Sequence, residues 1–458
     1  MTEDVRQQPG RSGLSVVLSA WHDPAARILN VDLLAVLLAA LLPWSTTGVV
    51  IAGVVWVIAL IPTLEVRPFL RSLTRPISVL PIVFFALALI GTLWSDARWD
   101  ERLYAVGPTL KLLMLPLLFY HYQRSPRGVW VFDAFLASCV LLLVASWLVA
   151  FDPNLSLKLY LSRGPFEPAS GIVVRNYIDQ SQEFALCAIA LAYPVTVSLR
   201  ANRIRRAAVL AFISAAFLTN MVFVVVSRTA LVTLPIMLAV FALLHLRLRA
   251  AVAMLCAAAL LMTIAWNVSP RLQARVAKFA TDYQDTMIDN SVSGMGSRLQ
   301  YWQKSVRFFV ESPVIGHGTG ATRGLFEQAA IGEVGVRAEI VANPHNQTLN
   351  VAVQWGVVGI VILYAMWLLH LQLFRGDGLT NWIGLLVVVQ NLATSLFNSH
   401  LFDFNEGWIY VLGVGVAGGT GLGARRSSIA GALVSGQAHG ERVADLERAR
   451  QADERSPA

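Results

Sequence analysis

The chain has 458 residues, 56% of them hydrophobic and 14% charged, with a mean hydropathy of +0.60. Those values exclude an ordinary soluble domain, in which about a quarter of residues are charged, and point to a polytopic membrane protein. The net charge of +8 and a pI near 9.7 follow the connections between apolar runs, so they express membrane topology and not a nucleic-acid surface.

Residues 1–27, opening MTEDVRQQPGRSG, have neither a short apolar core nor a small-residue cleavage site. No removed signal peptide is therefore expected, and this is read as a cytoplasmic segment. A spanning helix needs about 20 mostly apolar residues. Windows of that kind place about twelve helices, at 28–44, 46–64, 77–94, 104–121, 129–150, 180–199, 207–226, 229–246, 250–267, 347–370, 380–397 and 406–423. Pro62, Pro116, Pro194 and Pro235 shorten or interrupt several of them. The first nine occupy 28–267 and the last three 347–423, and the Arg-, Glu- and Ala-rich tail 424–458 reads as a cytoplasmic, solvated or loosely helical extension. Cys139, Cys187 and Cys256 all lie inside apolar runs without metal-type spacing, so neither a disulfide framework nor a metal site is suggested.

Orientation follows from arginines, which are enriched in short cytoplasmic loops. Alternate connections carry Arg67, Arg71 and Arg75; Arg124 and Arg127; Arg200, Arg203, Arg205 and Arg206; Arg247 and Arg249; and Arg375. These are assigned to the cytoplasm, which places the 95–102 turn and the long segments 151–179 and 268–346 on the other side. The segment 268–346 is too long for a turn. Leu299, Trp302, Val306 and Phe309 recur in it at helical spacing, so it is expected to form helices over the membrane. Its glycine-rich IGHGTGATRG lacks the GK[ST] ending of a phosphate-binding loop.

On that non-cytoplasmic side Arg228 interrupts VVFVVVSRTALVTLPI, where a membrane charge is costly and marks a candidate site. Arg163, Arg175 and Arg298 lie on the same face. Guanidinium forks bind phosphate oxygens bidentately and stay charged, so a cluster of them suits a lipid-linked pyrophosphate. His345, at the lip of the tenth helix, is the best candidate for a base, since a neutral imidazole takes a proton from an attacking hydroxyl near ambient pH. The competing reading makes His345 a helix-start residue with Asn343 and Asn346 as caps. His317 and His400 are rival histidines, and Asp403 could orient a base, pair with an arginine or be solvated.

From His345 the sequence reads His-Asn, nine residues, Gly356, two residues, Gly359. This resembles the signature of the O-antigen ligases: a histidine, then Asn, Ser or Gln, nine residues and G-x-x-[G/T/Y]. The wider pattern is similar as well, in about twelve helices, Ser227-Arg228-Thr229 before a helix, SRLQYW opening a large loop and IGHGTG ahead of the histidine. The resemblance implies an all-α fold like that of the GT-C glycosyltransferases. It also implies a metal-independent transfer, without cofactor, of O-antigen from undecaprenyl pyrophosphate to the lipid A-core at the periplasmic face of the bacterial inner membrane. It makes His345 the essential histidine and matches Arg228 and Arg298 to the family's arginines. Arg163, Arg175, Asn346, His317 and Asp403 are further substrate-binding candidates by position and chemistry. The related O-antigen polymerase, an oligosaccharyltransferase of the same superfamily and a lipid-linked oligosaccharide transporter are the alternatives. A transporter would place charged or broken helices near the midplane.

Overall fold

The computed structural model describes residues 23–157, 171–289 and 294–453, without side chains at 279–280, 282–289, 295 and 429–453. Arg163 lies outside the described residues. In chain order the helices are α1 Pro24–Leu41, α2 Thr46–Leu60, α3 Val66–Leu73, α4 Pro76–Ile90, α5 Trp99–Leu110, α6 Met114–Tyr122, α7 Gly128–Phe151, α8 Tyr177–Ala190, α9 Ala192–Arg200, α10 Ile204–Phe223, α11 Arg228–His245, α12 Leu248–Val268, α13 Pro270–Asp289, α14 Gly294–Glu311, α15 Ala321–Ala330, α16 Gln347–Leu373, α17 Leu379–Thr394 and α18 Phe404–Asp453.

Among the described residues eleven helical segments are long and apolar enough to span a membrane, and α17 is a shorter apolar helix. The protein is an all-α, multi-pass membrane protein. The expected span at 104–121 is two helices, α5 and α6, joined by a 3-10 turn at Lys111–Leu113. Packing centres on α18, which lies against α6 and α17. Small residues in GVGVAGGTGLG allow that approach. A Cβ on Gly419 would stand 2.9 Å from the Leu118 carbonyl oxygen, and one on Gly423 2.8 Å from that of Gln123.

The arginine-rich connections gather at one end of the bundle, where they hold helix ends. Arg75 donates to Gln123 at 2.8 Å, Arg124 to the Thr63 carbonyl at 2.8 Å, Arg200 to that of His245 at 2.8 Å and Arg425 to that of Leu373 at 2.7 Å. At the same end the buried Asp32 accepts from His121 at 2.7 Å, Ser125 at 2.8 Å and Arg127 at 3.2 Å.

The helices α13, α14 and α15 form over the opposite end, as expected for 268–346. On α14, however, the buried stripe is Ser297, Tyr301, Ser305 and Phe308, and Val306 faces outward at 48% exposure. The helical period is as anticipated but the phase is not. Tyr301 and Phe308 pack with Phe326 of α15 and Val353 of α16, a partnership that outweighs the apolarity of Val306.

Candidate active site

The site is assembled where α16 begins. Asn346 caps this helix, its Oδ1 accepting from the Leu349 N–H at 3.0 Å. One turn back, Asn343 Oδ1 accepts from the His345 N–H at 2.9 Å and from the Ser399 hydroxyl at 2.8 Å. These contacts hold His345 at φ +54°, a left-handed conformation that costs a side-chain-bearing residue about 1–2 kcal/mol. Asn346 does the capping, so the imidazole is not used for it. Its Nδ1 instead lies 2.8 Å from Asn398 Oδ1, and its ring lies 6.1 Å from that of Tyr301.

Three turns along, α16 breaks at Gly356 (φ +58°, ψ −152°). The Pro313–Gly318 loop fills the break: Val357 N–H donates to the Pro313 carbonyl at 2.8 Å, and the His317 and Gly318 N–H groups to those of Val353 and Gln354 at 2.9 Å. A Cβ on Gly356 would stand 2.4 Å from Val314 O. The glycine-rich IGHGTG is thus a plug for a broken helix. His317 belongs to this plug, with Nε2 2.7 Å from the Phe308 carbonyl oxygen.

Arg298 of α14 connects the remaining groups electrostatically. Its charge acts on His345 and His400, and Arg228 at the start of α11 acts on it in turn. Burial holds His345 below its ordinary value of 6.5; the Asn398 hydrogen bond and Glu339 oppose this, and Arg298 reinforces it. Burial also lowers the pKa of Arg298, with Arg228 adding to the effect and Tyr177 and Tyr301 opposing it. The His345 imidazole is therefore held toward its neutral form beside the Arg298 cation. Glu339 lies nearby, accepting from the Tyr301 hydroxyl, and Trp302 Nε1 ties α14 to the Pro344 carbonyl at 3.1 Å.

Asp403 is not a plain solvated charge. Its Oδ2 accepts from Asn398 Nδ2 at 2.5 Å, and burial raises its pKa to about 6 against the Lys111 cation. His400, 1% exposed, is held down to about 3, first by burial and then by Arg298 and His345, so it is neutral and shielded. Arg175 lies to the side of this group. Its Nη1 donates to Asn405 Oδ1 at 2.7 Å, while its Nε and Nη2 are buried without hydrogen-bond partners. Asp179 and Glu183 line the small space beside it, and Asn405 also donates to Glu183 at 2.9 Å. Among the described residues His400, Asp403 and Glu406 have donor atoms within 4.8 Å of one another, a spacing that could hold a metal ion. Lys111 Nζ already sits beside those carboxylates, hydrogen-bonded to the Phe402 carbonyl at 3.0 Å and to that of Asp403.

Sequence reasoning missed Asn398, Ser399, Glu339 and the buried Lys111, Glu183 and Glu406. Their one signal was polarity inside or beside apolar runs, as in NSHLFDFNEG.

Residues 213–364 match the family model described as O-antigen ligase. The match takes in Arg228, Arg298, His317, His345 and Asn346, and stops short of Asn398 and Asp403. No curated protein matches the chain.

Proposed function

We propose that the chain, whose residues 213–364 match the family model described as O-antigen ligase, is such a ligase. It transfers O-antigen from undecaprenyl pyrophosphate to a sugar hydroxyl of the lipid A-core at the periplasmic face of the inner membrane. The observation that carries this reading is the juxtaposition of a half-buried neutral imidazole, His345, with Arg298 and Arg228 at the rim of an apolar bundle. A polyprenyl tail lies among apolar helices, its pyrophosphate meets the guanidiniums, and its sugar stands in water beside the base.

In the reaction His345 takes the proton of the acceptor hydroxyl as that oxygen attacks the anomeric carbon. The bond from the anomeric carbon to the phosphate oxygen breaks, and its electron pair leaves on undecaprenyl pyrophosphate. Arg298 and Arg228 stabilise the charge that grows there. Arg175, with two unpaired guanidinium nitrogens, is a further donor toward phosphate or sugar oxygens, and Asn346 and Asp403 border the acceptor side. Attack opposite the leaving group inverts the centre, so an α-linked donor gives a β-linked product, which NMR of the purified glycolipid checks. An α-linked product overturns single displacement.

The protein in detergent, given lipid-linked O-antigen and lipid A-core in the presence of chelator, should form ligated product. His345→Ala should bind donor without ligating it, and Arg228→Ala should lose donor affinity. Activity only on a lipid-linked sugar acceptor would make the protein a polymerase, and activity restored only by added divalent metal would overturn the metal-independent reaction.

A further inference from the structure

We infer that Asn398 is a positioning residue that fixes the tautomer of His345, leaving Nε2 as the nitrogen that takes the acceptor's proton. The inference rests on the reading of His345 as the base.

An asparagine amide can be turned either way round, so which of its ends meets the imidazole has to come from its other partners. Here Asp403 decides. Its Oδ2 lies 2.5 Å from Asn398 Nδ2, and a carboxylate oxygen accepts from an N–H but repels a carbonyl oxygen. The Oδ1 of Asn398 must then face the other way, where it meets His345 Nδ1 at 2.8 Å and Asn343 Nδ2 at 3.3 Å. Asn343 is itself oriented, because its Oδ1 accepts from the His345 N–H and the Ser399 hydroxyl, so its Nδ2 is the end that donates to Asn398. An amide oxygen only accepts, which requires His345 Nδ1 to carry the hydrogen. In a neutral imidazole the lone pair is then on Nε2.

The order Asp403, Asn398, His345 passes orientation through a neutral amide. A carboxylate placed directly on Nδ1 would stabilise the imidazolium and move the base toward its protonated form. With an amide between them, His345 keeps its alignment while burial keeps it neutral. The other charged or titratable groups facing it are Arg298 and Tyr301 from α14, Glu339 from the loop before it, and His400 beside Asn398.

The test uses full-length protein in detergent with lipid-linked O-antigen and lipid A-core. Asn398→Ala should lower kcat by roughly 10²-fold, the scale of a misdirected general base, with KM for the donor nearly unchanged. The exchange Asn398→Asp/Asp403→Asn restores an acceptor facing Nδ1 and a donor facing that acceptor. It should recover most of kcat and move the acidic limb of the rate profile to higher pH, a displacement that a purely structural role would not produce. Nitrogen-15 spectra of histidine-labelled protein, assigned by the resonance lost in His345→Ala, should show hydrogen on Nδ1 in the wild type and a mixed tautomer in Asn398→Ala. Hydrogen on Nε2 in the wild type, or an Asn398→Ala enzyme with unchanged kcat beside an inactive His345→Ala, overturns the positioning role and leaves the ligase reading standing. A His345→Ala enzyme that ligates normally overturns the base assignment, whereas the spectra report the tautomer in either case.

Discussion

A base must be neutral to take a proton, so with His345 in the proposed role the rate profile should rise with pH through the imidazole pKa and be flat above it. Burial places that pKa below 6.5, so the midpoint of the rise should lie below pH 6.5. Glu339 favours the imidazolium. Replacing it by Gln removes the charge and leaves an acceptor for Tyr301, and should move the acidic limb to still lower pH. A limb moving upward in a pH series of kcat/KM would show that Glu339 does not act on the base. Two neighbours set the pH dependence of stability in opposite senses. His400 falls from 6.5 to about 3 on folding, so the stability tied to it is complete above pH 6.5 and lost as pH falls. Asp403 rises from 3.8 to about 6, so its contribution is complete below 3.8 and lost as pH rises through 6. Removing the imidazole removes its share of that loss, so between pH 6 and 4 the unfolding temperature of His400→Gln should fall less, or rise more, than that of the wild type. At this scale the sequence made His345, Arg228 and Arg298 legible, because a histidine at a helix start and an arginine in an apolar run each break a local pattern. Asn398 broke none: an asparagine in a short polar turn is unexceptional until the fold brings Asp403 to one end of its amide and His345 to the other.

The elements were legible wherever hydrophobic burial alone decides them. The apolar windows fell on α1, α2, α4, α7 to α12, α16 and α17 and on the first part of α18, which continues to Asp453, because lipid demands a continuous apolar, hydrogen-bonded helix. The break in α16 was hidden for the same reason, since NVAVQWGVVGIVILY reads as one apolar run. What breaks it is a tertiary partner, the 313–318 loop, whose backbone pairs with the freed groups around Gly356. Gly356→Ala should therefore be severe. A Cβ there meets Val314 O at 2.4 Å in a backbone conformation that favours glycine, and the strain, about 1–3 kcal/mol, adds to a steric clash between two backbones. Thermal unfolding should show a large loss, accompanied by loss of ligation as the first half of α16 shifts His345. Gly107→Ala, where nothing lies within 4 Å of the new methyl, is the control and should unfold like the wild type or slightly later. Equal unfolding temperatures for the two variants would mean that the plug contributes little to holding the broken helix.

At the scale of the whole molecule the two ends of the bundle are chemically distinct. One gathers arginines that tie helix ends to carbonyl oxygens, and the other carries α13 to α15 and the His345 cluster. The helices of a bundle keep this polarity only if connections alternate between its ends, so charge bias in the loops and the clustering of the site at one rim express the same topology. A transporter would place charged or broken helices near the midplane, whereas the break at Gly356 of α16 is filled by the backbone of the 313–318 loop. Buried polar residues do occur within the spans here, such as Gln182 and Gln390, but Gln390 donates to the Gln182 carbonyl at 2.8 Å and ties α17 to α8. The orientation is open to a direct experiment. In a Cys256→Ser background, with Cys139 and Cys187 buried, a cysteine replacing Ile331, which is 82% exposed between α15 and the His345 loop, should react with a membrane-impermeant maleimide in cells whose outer membrane has been opened. A cysteine replacing the exposed Asp377, between α16 and α17, should react only after the inner membrane is broken. The reverse pattern would put the imidazole and its arginines in the cytoplasm, away from the periplasmic face at which the proposed transfer takes place, and the ligase reading would fall together with the orientation.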